Sequence, residues 1–158
     1  MTHAPTPPSN IGHLRQLLTE WSKRPDAEIV GRLQRLVGVV AIVSMLDGLR
    51  DTDGRERIGY KGGSALELRF GFTARASKDL DAAFRGDLNE ALKLVAEATR
   101  RGWNGFTGTI GDLLDVTRGK VSPPPFRVNV KLNYRGRESR LRGAHLIELP
   151  PPPPHRHR

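Results

Sequence analysis

Phe126–Tyr134 reads FRVNVKLNY, with Phe126, Val128, Val130, Leu132 and Tyr134 alternating strictly with Arg127, Asn129, Lys131 and Asn133. Side chains along a strand point to opposite faces, so this segment is a strand with one apolar face and one polar face. An apolar sheet face needs a covering layer, and the rest of the chain offers helices for it. Ile11, Leu14, Leu17, Leu18 and Trp21 recur at helical spacing behind a Ser9/Asn10 cap, which predicts a helix over residues 11–23. A second helix is predicted over residues 26–50, with Ile29, Leu33, Leu36, Val37, Val40 and Val43 on one face. A third spans residues 87–101, capped by Asp87, stopped by Gly102 and apolar along Leu88, Leu92, Val95 and Ala96. Short strands are expected at residues 57–60, 79–84, 103–110 and 144–149, a short helical run at 65–70, and a turn at Arg135-Gly136-Arg137, while residues 112–116 carry no clear pattern. The expected class is α/β (α+β), a mixed sheet flanked by helices.

At 158 residues the chain is one domain in size. Residues 1–10 and the tail 150–158 (Pro150 to Pro154, then His-Arg-His-Arg) cannot bury enough apolar surface to offset the entropy of ordering, so the folded domain is expected at residues 11–149. The absence of cysteine excludes a disulfide framework and thiolate metal ligands. The most apolar stretch, residues 36–46, is far shorter than the roughly 20 residues that cross a bilayer, and no basic-then-apolar leader opens the chain. A soluble, cytoplasmic protein is the expectation, with no membrane partner. Trp21 and Trp103 are read as core residues, and the five histidines (His13 in a helix, His145 at a strand start, His3, His155 and His157 in the tails) are too scattered to be read as metal ligands.

The net charge is +9, and residues 120–158 hold nine Lys/Arg against Glu138 and Glu148. That asymmetry suits a polyanionic partner such as nucleic acid.

Two segments carry the chemistry. The first, Tyr60-Lys61-Gly62-Gly63-Ser64-Ala65-Leu66-Glu67-Leu68, reads as strand, glycine pair and helix start. Glycines let the backbone approach an anion, and a helix N-terminus supplies unpaired N–H groups and partial positive charge for a phosphate. Taken alone, the same residues also read as an ordinary Gly-Gly turn followed by a Ser64-x-x-Glu67 capping box. The second segment is Arg75-Ala76-Ser77-Lys78-Asp79-Leu80-Asp81. On a strand, Asp79 and Asp81 share a face about 6.5–7 Å apart. Both carboxylates can then reach a pair of metal ions about 3.5–4 Å apart, the clamp used in nucleotidyl transfer. Mg²⁺ prefers such hard oxygen donors, completed by triphosphate oxygens and water.

In this order, with fourteen residues between Ser64 and Asp79, the two segments resemble the signature of the nucleotidyltransferase superfamily. The wording K-G-G-S-A-L-E-L followed by R-x-S-K-D-L-D is similar to the AbiEii/AbiGii (MenT-like) toxin family, over roughly residues 33–85 and more weakly to 135. The resemblance implies a nucleotidyltransferase fold and a toxin of a toxin–antitoxin pair, moving nucleotides from a nucleoside triphosphate (NTP) to tRNA 3′ ends. By the same resemblance, Asp79 and Asp81 are catalytic and bind Mg²⁺, Gly63 and Ser64 hold the triphosphate, and Lys61, Gly62, Arg75 and Ser77 match the nucleotide-binding motif. Lys131 is a further candidate phosphate contact. Arg75 and Lys78 could neutralise phosphate or lie at the surface. A cognate antitoxin is the implied protein partner.

Two departures temper the expected activity. The superfamily often places a third acid on a strand beside the pair, and on Phe126–Tyr134, the natural candidate, no carboxylate occurs. The family's C-terminal helical part, with its further lysine and aspartate, has no counterpart before the proline-rich tail, so the chain reads as C-terminally truncated. The alternative to a working toxin is therefore a non-catalytic remnant that binds nucleotide, RNA or an antitoxin.

Overall fold

The computed structural model describes residues 6–23, 30–71, 74, 80–115, 126–139, 141 and 145–149. In chain order these form α1 (Ile11–Ser22), α2 (Val30–Leu46), β1 (Ile58–Lys61), α3 (Gly62–Phe70), β2 (Leu80–Phe84), α4 (Leu88–Arg101), β3 (Phe106–Asp115), β4 (Phe126–Tyr134), β5 (Arg137–Glu138) and β6 (His145–Leu149). The strands make one mixed sheet in the order β1-β2-β6-β4-β3, with β5 hairpinned onto β4. The β2–β6 pair is parallel and the other pairs are antiparallel.

β4 behaves as its alternation requires. Val128, Val130, Leu132 and Tyr134 are buried, whereas Lys131 is exposed and Arg127, Asn129 and Asn133 are intermediate. Ile58, Leu80 and Ala82 continue the apolar face across β1 and β2, and α2 and α4 cover it with Val39, Ala41, Ile42, Met45, Leu46, Ala91, Val95 and Ala98. α1 closes the outer side with Leu14 and Leu18. Close approach of α4 to the sheet depends on Gly108 of β3, where a Cβ would stand 3.0 Å from both Thr99 Cβ and Val130 Cγ1. Asn10 and Asp87 cap α1 and α4, accepting from His13 N and Glu90 N.

The boundaries depart from the sequence expectation where local chemistry overrides periodicity. α2 ends at Leu46 rather than near residue 50; Asp51 Oδ1 gathers the N–H groups of Asp53 and Arg55, each at 2.9 Å, into a separate turn. Trp103 is not part of a strand. Asn104 (φ 45) and Gly105 (φ 85) form a tight turn in which Trp103 and Phe106 exchange two backbone hydrogen bonds of 2.8 Å, an Asn-Gly reversal of the primed type. The strand beyond it runs on through residue 115, absorbing the segment that carries no pattern, with a register shift between Ile110 and Leu113. Arg135 (φ 47) and Gly136 (φ 79) make the expected second turn.

Trp21 and Trp103 are not core residues: they are 46% and 37% exposed. With Pro7, Pro8, Leu17 and Leu36 they line a groove of about 430 Å³ beside α1 and α2. Pro8, which composition places in the N-terminal arm, is held to the sheet, its carbonyl accepting from Tyr134 Oη at 2.6 Å and Arg135 Nε at 2.9 Å. The expected disorder of residues 1–5 and 150–158 falls outside the described residues. No helix among the described residues is long and apolar enough to cross a membrane.

Leu80 is 1% exposed at the start of β2. Its truncation to alanine is expected to destabilise the protein by about 2–5 kcal/mol, read as a lower midpoint in urea with an unchanged slope.

Candidate active site

β1 passes into α3 without a linker. Lys61 is both the last residue of the strand and the N-cap of the helix, extended at φ −140 and ψ 178, with no side-chain capping bond. Gly62 and Gly63 are therefore the first two helical residues, not a turn ahead of the helix, and Gly62 takes φ 68, a conformation in which a Cβ is strained. Ser64 follows as the third helical residue and is 2% exposed. The capping box is not formed: Ser64 is not at the cap, and Glu67 turns inward to Arg32 and Arg35.

The antiparallel β1–β2 ladder sets Lys61 opposite Asp81. Gly62 comes next in the chain, and the Asp81 side chain lies over it: a Cβ built on Gly62 would be 2.4 Å from Asp81 Oδ2 and 3.4 Å from its Cγ. The acidic strand and the glycine cradle thus meet at one point, on the sheet face opposite the helical core layer. Asp81 is half-buried and Lys61 exposed. Leu80, between the two acids in sequence, anchors the strand in the core. A carboxylate held beside a helix N-terminus in space that a methyl group would fill is a donor of the hard-oxygen type that suits Mg²⁺. Arg75, Ser77, Lys78 and Asp79 lie outside the described residues, and among the described residues no three His, Asp or Glu side chains converge as a metal cage.

β4 is not the strand beside β2, as the sequence reading expects; β6 is inserted between them. Asp81 is opposite Glu148 in the parallel ladder, and Glu148 is opposite Arg127 in the antiparallel one. The strand next to the acidic segment therefore does carry a carboxylic acid. Lys131, on β4 opposite Thr109 of β3, lies four residues along and two strands across from Asp81, roughly 16 Å away on ideal strand spacings. Arg127 is the β4 cation in the row of Asp81. Neither Arg127 nor Glu148 stands out in the sequence, because only the order of strands brings them level with Asp81.

On the covered side of β1, Tyr60 lines a second cavity of about 280 Å³ with Asp47 and Glu56. Burial pushes its phenol well above the ordinary tyrosine range, and the charges of Asp47 and Glu56 add to the rise.

Residues 45–156 match the family model of the AbiEii nucleotidyl transferase toxin of type IV toxin–antitoxin systems. The match covers most of the chain and contains both the glycine cradle and the acidic strand. The chain belongs to the AbiEii family. It is accordingly a member of a nucleotidyl transferase toxin family. No curated protein matches the chain.

Gly62→Ala is expected to destabilise the AbiEii fold by about 1–2 kcal/mol through the left-handed backbone alone, and further by displacing Asp81. Gly59→Ala, two residues before Lys61 and with nothing within 4 Å of the added Cβ, is expected to be neutral or slightly stabilising. Equal urea midpoints for the two variants would show that the close contact carries no constraint.

Proposed function

We propose that this chain is a toxin that moves a nucleotidyl group from an NTP to an RNA 3′ end, tRNA being the substrate that the family resemblance suggests. The observation that carries this reading is the seating of the Asp81 carboxylate on Gly62 at the start of α3. In the proposed reaction the terminal hydroxyl oxygen of the RNA attacks the α-phosphorus. The bond from that phosphorus to the bridging oxygen breaks, pyrophosphate leaves, and the hydroxyl proton passes to solvent.

Asp79 and Asp81 would hold Mg²⁺, which when bound would draw charge from the triphosphate and the attacking oxygen. Backbone N–H groups of Gly62 and Gly63 would receive phosphate oxygens at the helix N-terminus. The Ser64 hydroxyl is buried, so its part would be to fix the cradle from within unless the helix start opens. Lys61, at the exposed end of β1, and Arg127 are the cations in the Asp81 row, with Arg75 and Ser77 as further nucleotide contacts. Lys131, at its greater distance, fits RNA backbone better than the triphosphate.

Glu148, opposite Asp81 on the strand neighbouring β2, is the candidate for a third acid. It would answer one of the two grounds for a non-catalytic remnant, the lack of an acid on β4; the other is the C-terminal part that the sequence reading finds missing. The basic C-terminal third suits RNA, and a cognate antitoxin would restrain the activity in the cytoplasm.

The test is incorporation of labelled nucleotide into tRNA with each of the four NTPs and Mg²⁺. Wild-type chain is expected to label the 3′ end, and Asp81→Asn or Asp79→Asn to reduce the rate at least about a hundredfold, or about 2.7 kcal/mol of barrier. Labelling that persists in a folded Asp81→Asn variant, or no labelling and no Mg–NTP binding by folded wild type, overturns the reading.

A further inference from the structure

The nine-residue helix α3 turns two polar side chains inward and two large apolar ones outward. Its buried positions are Ser64 and Glu67, 2% and 3% exposed, while Leu66 and Phe70 are 53% and 55% exposed. A helix of this length is marginal by itself and ordinarily takes its orientation from an apolar stripe turned to the core. Leu68 alone of the large apolar side chains packs against the core, so apolar packing leaves the roll about the helix axis underdetermined and a further interaction helps to set it.

That interaction is ionic and comes from α2. Glu67 accepts from Arg32 Nε at 2.8 Å, and Arg35 Nη2 reaches both of its carboxylate oxygens, at 3.0 and 3.1 Å. Arg32 also donates through Nη2 to the carbonyls of Gly71, at 3.4 Å, and Ala74. The Gly71 N–H closes the end of α3 on Glu67 O. One carboxylate and two guanidinium groups thus tie together α2, the roll of α3, and the start of the segment that leads to Asp79 and Asp81. Glu67 is four residues from Gly63, roughly 6 Å along the helix, so the roll it sets is the roll of the glycine cradle.

We propose that Glu67 is a positioning residue: clamped by Arg32 and Arg35, it aims the N-terminal turn of α3 at the triphosphate and holds it level with Asp81. Its carboxylate is engaged with the two guanidinium groups, so it would act through the helix rather than on the reacting atoms. The proposal rests on the nucleotidyl transfer reading above. Buried ion pairs can be replaced by apolar side chains without loss of stability, which separates aiming from mere cohesion.

The full chain is titrated with each of the four Mg–NTPs by calorimetry, beside thermal melts and tRNA labelling. Glu67→Gln is expected to weaken binding about tenfold or more while keeping a cooperative melt. An apolar triple variant (Arg32→Met, Arg35→Leu and Glu67→Met) is expected to melt at or above the temperature of Glu67→Gln without regaining affinity. Wild-type affinity and labelling in either variant would overturn the proposal, and so would failure of both to fold, which would make the cluster a cohesive element only. Absence of Mg–NTP binding by wild type defeats the functional reading and this one with it. Wild-type binding that Asp81→Asn abolishes and Glu67→Gln leaves intact defeats this one alone.

Discussion

The register between β1 and β2 is the constraint on which the site depends. Because β1 runs into α3 with no intervening residue, whatever lies opposite the last residue of β1 lies beside the first turn of the helix. That opposite residue is Asp81. A slip of one position would turn the aspartate to the covered face and put Leu80 or Ala82 over the cradle. The register is held by the burial of Ile58, Leu80 and Ala82 on the covered face, so core packing and site geometry are one requirement.

The elements with a strong local period were legible in the sequence. β4 alternates as read, α4 starts on Asp87 and ends at Gly102, and α1 begins behind Asn10. The K-G-G-S and D-L-D motifs also point to the family that the 45–156 match shows. Strand order was not legible. Whether β4 or β6 lies beside β2 is decided by long-range pairing that leaves no trace in either segment's period, so the expected strand 144–149 gives no sign that its Glu148 lies level with Asp81.

Two other departures share a cause. Taken alone, the glycine pair also reads as a turn, since glycine disfavours helix interiors; at a helix start held by tertiary contacts, that cost is small beside the space gained for Asp81. The alternative capping box fits the local pattern at Glu67, but its carboxylate has two guanidinium partners from a helix more than thirty residues away in sequence. Local rules fail where a polar side chain is recruited across the fold. Trp21 and Trp103 show the converse: large aromatic residues at helical or strand spacing end up lining an open groove because the core layer is already filled by Leu14, Leu18, Val39 and Phe106.

The irregularity in β3 has a consequence for the molecule in solution. β3 ends the strand order, and a ten-residue rim is long enough to recruit a strand from a neighbouring chain and seed fibrils. The register shift between Ile110 and Leu113 interrupts the straight run of donors and acceptors that such recruitment requires. Gly108 and Gly111 withhold the side chains that would stabilise an added strand. Among the described residues, a strand added along this rim would therefore meet a broken hydrogen-bond ladder.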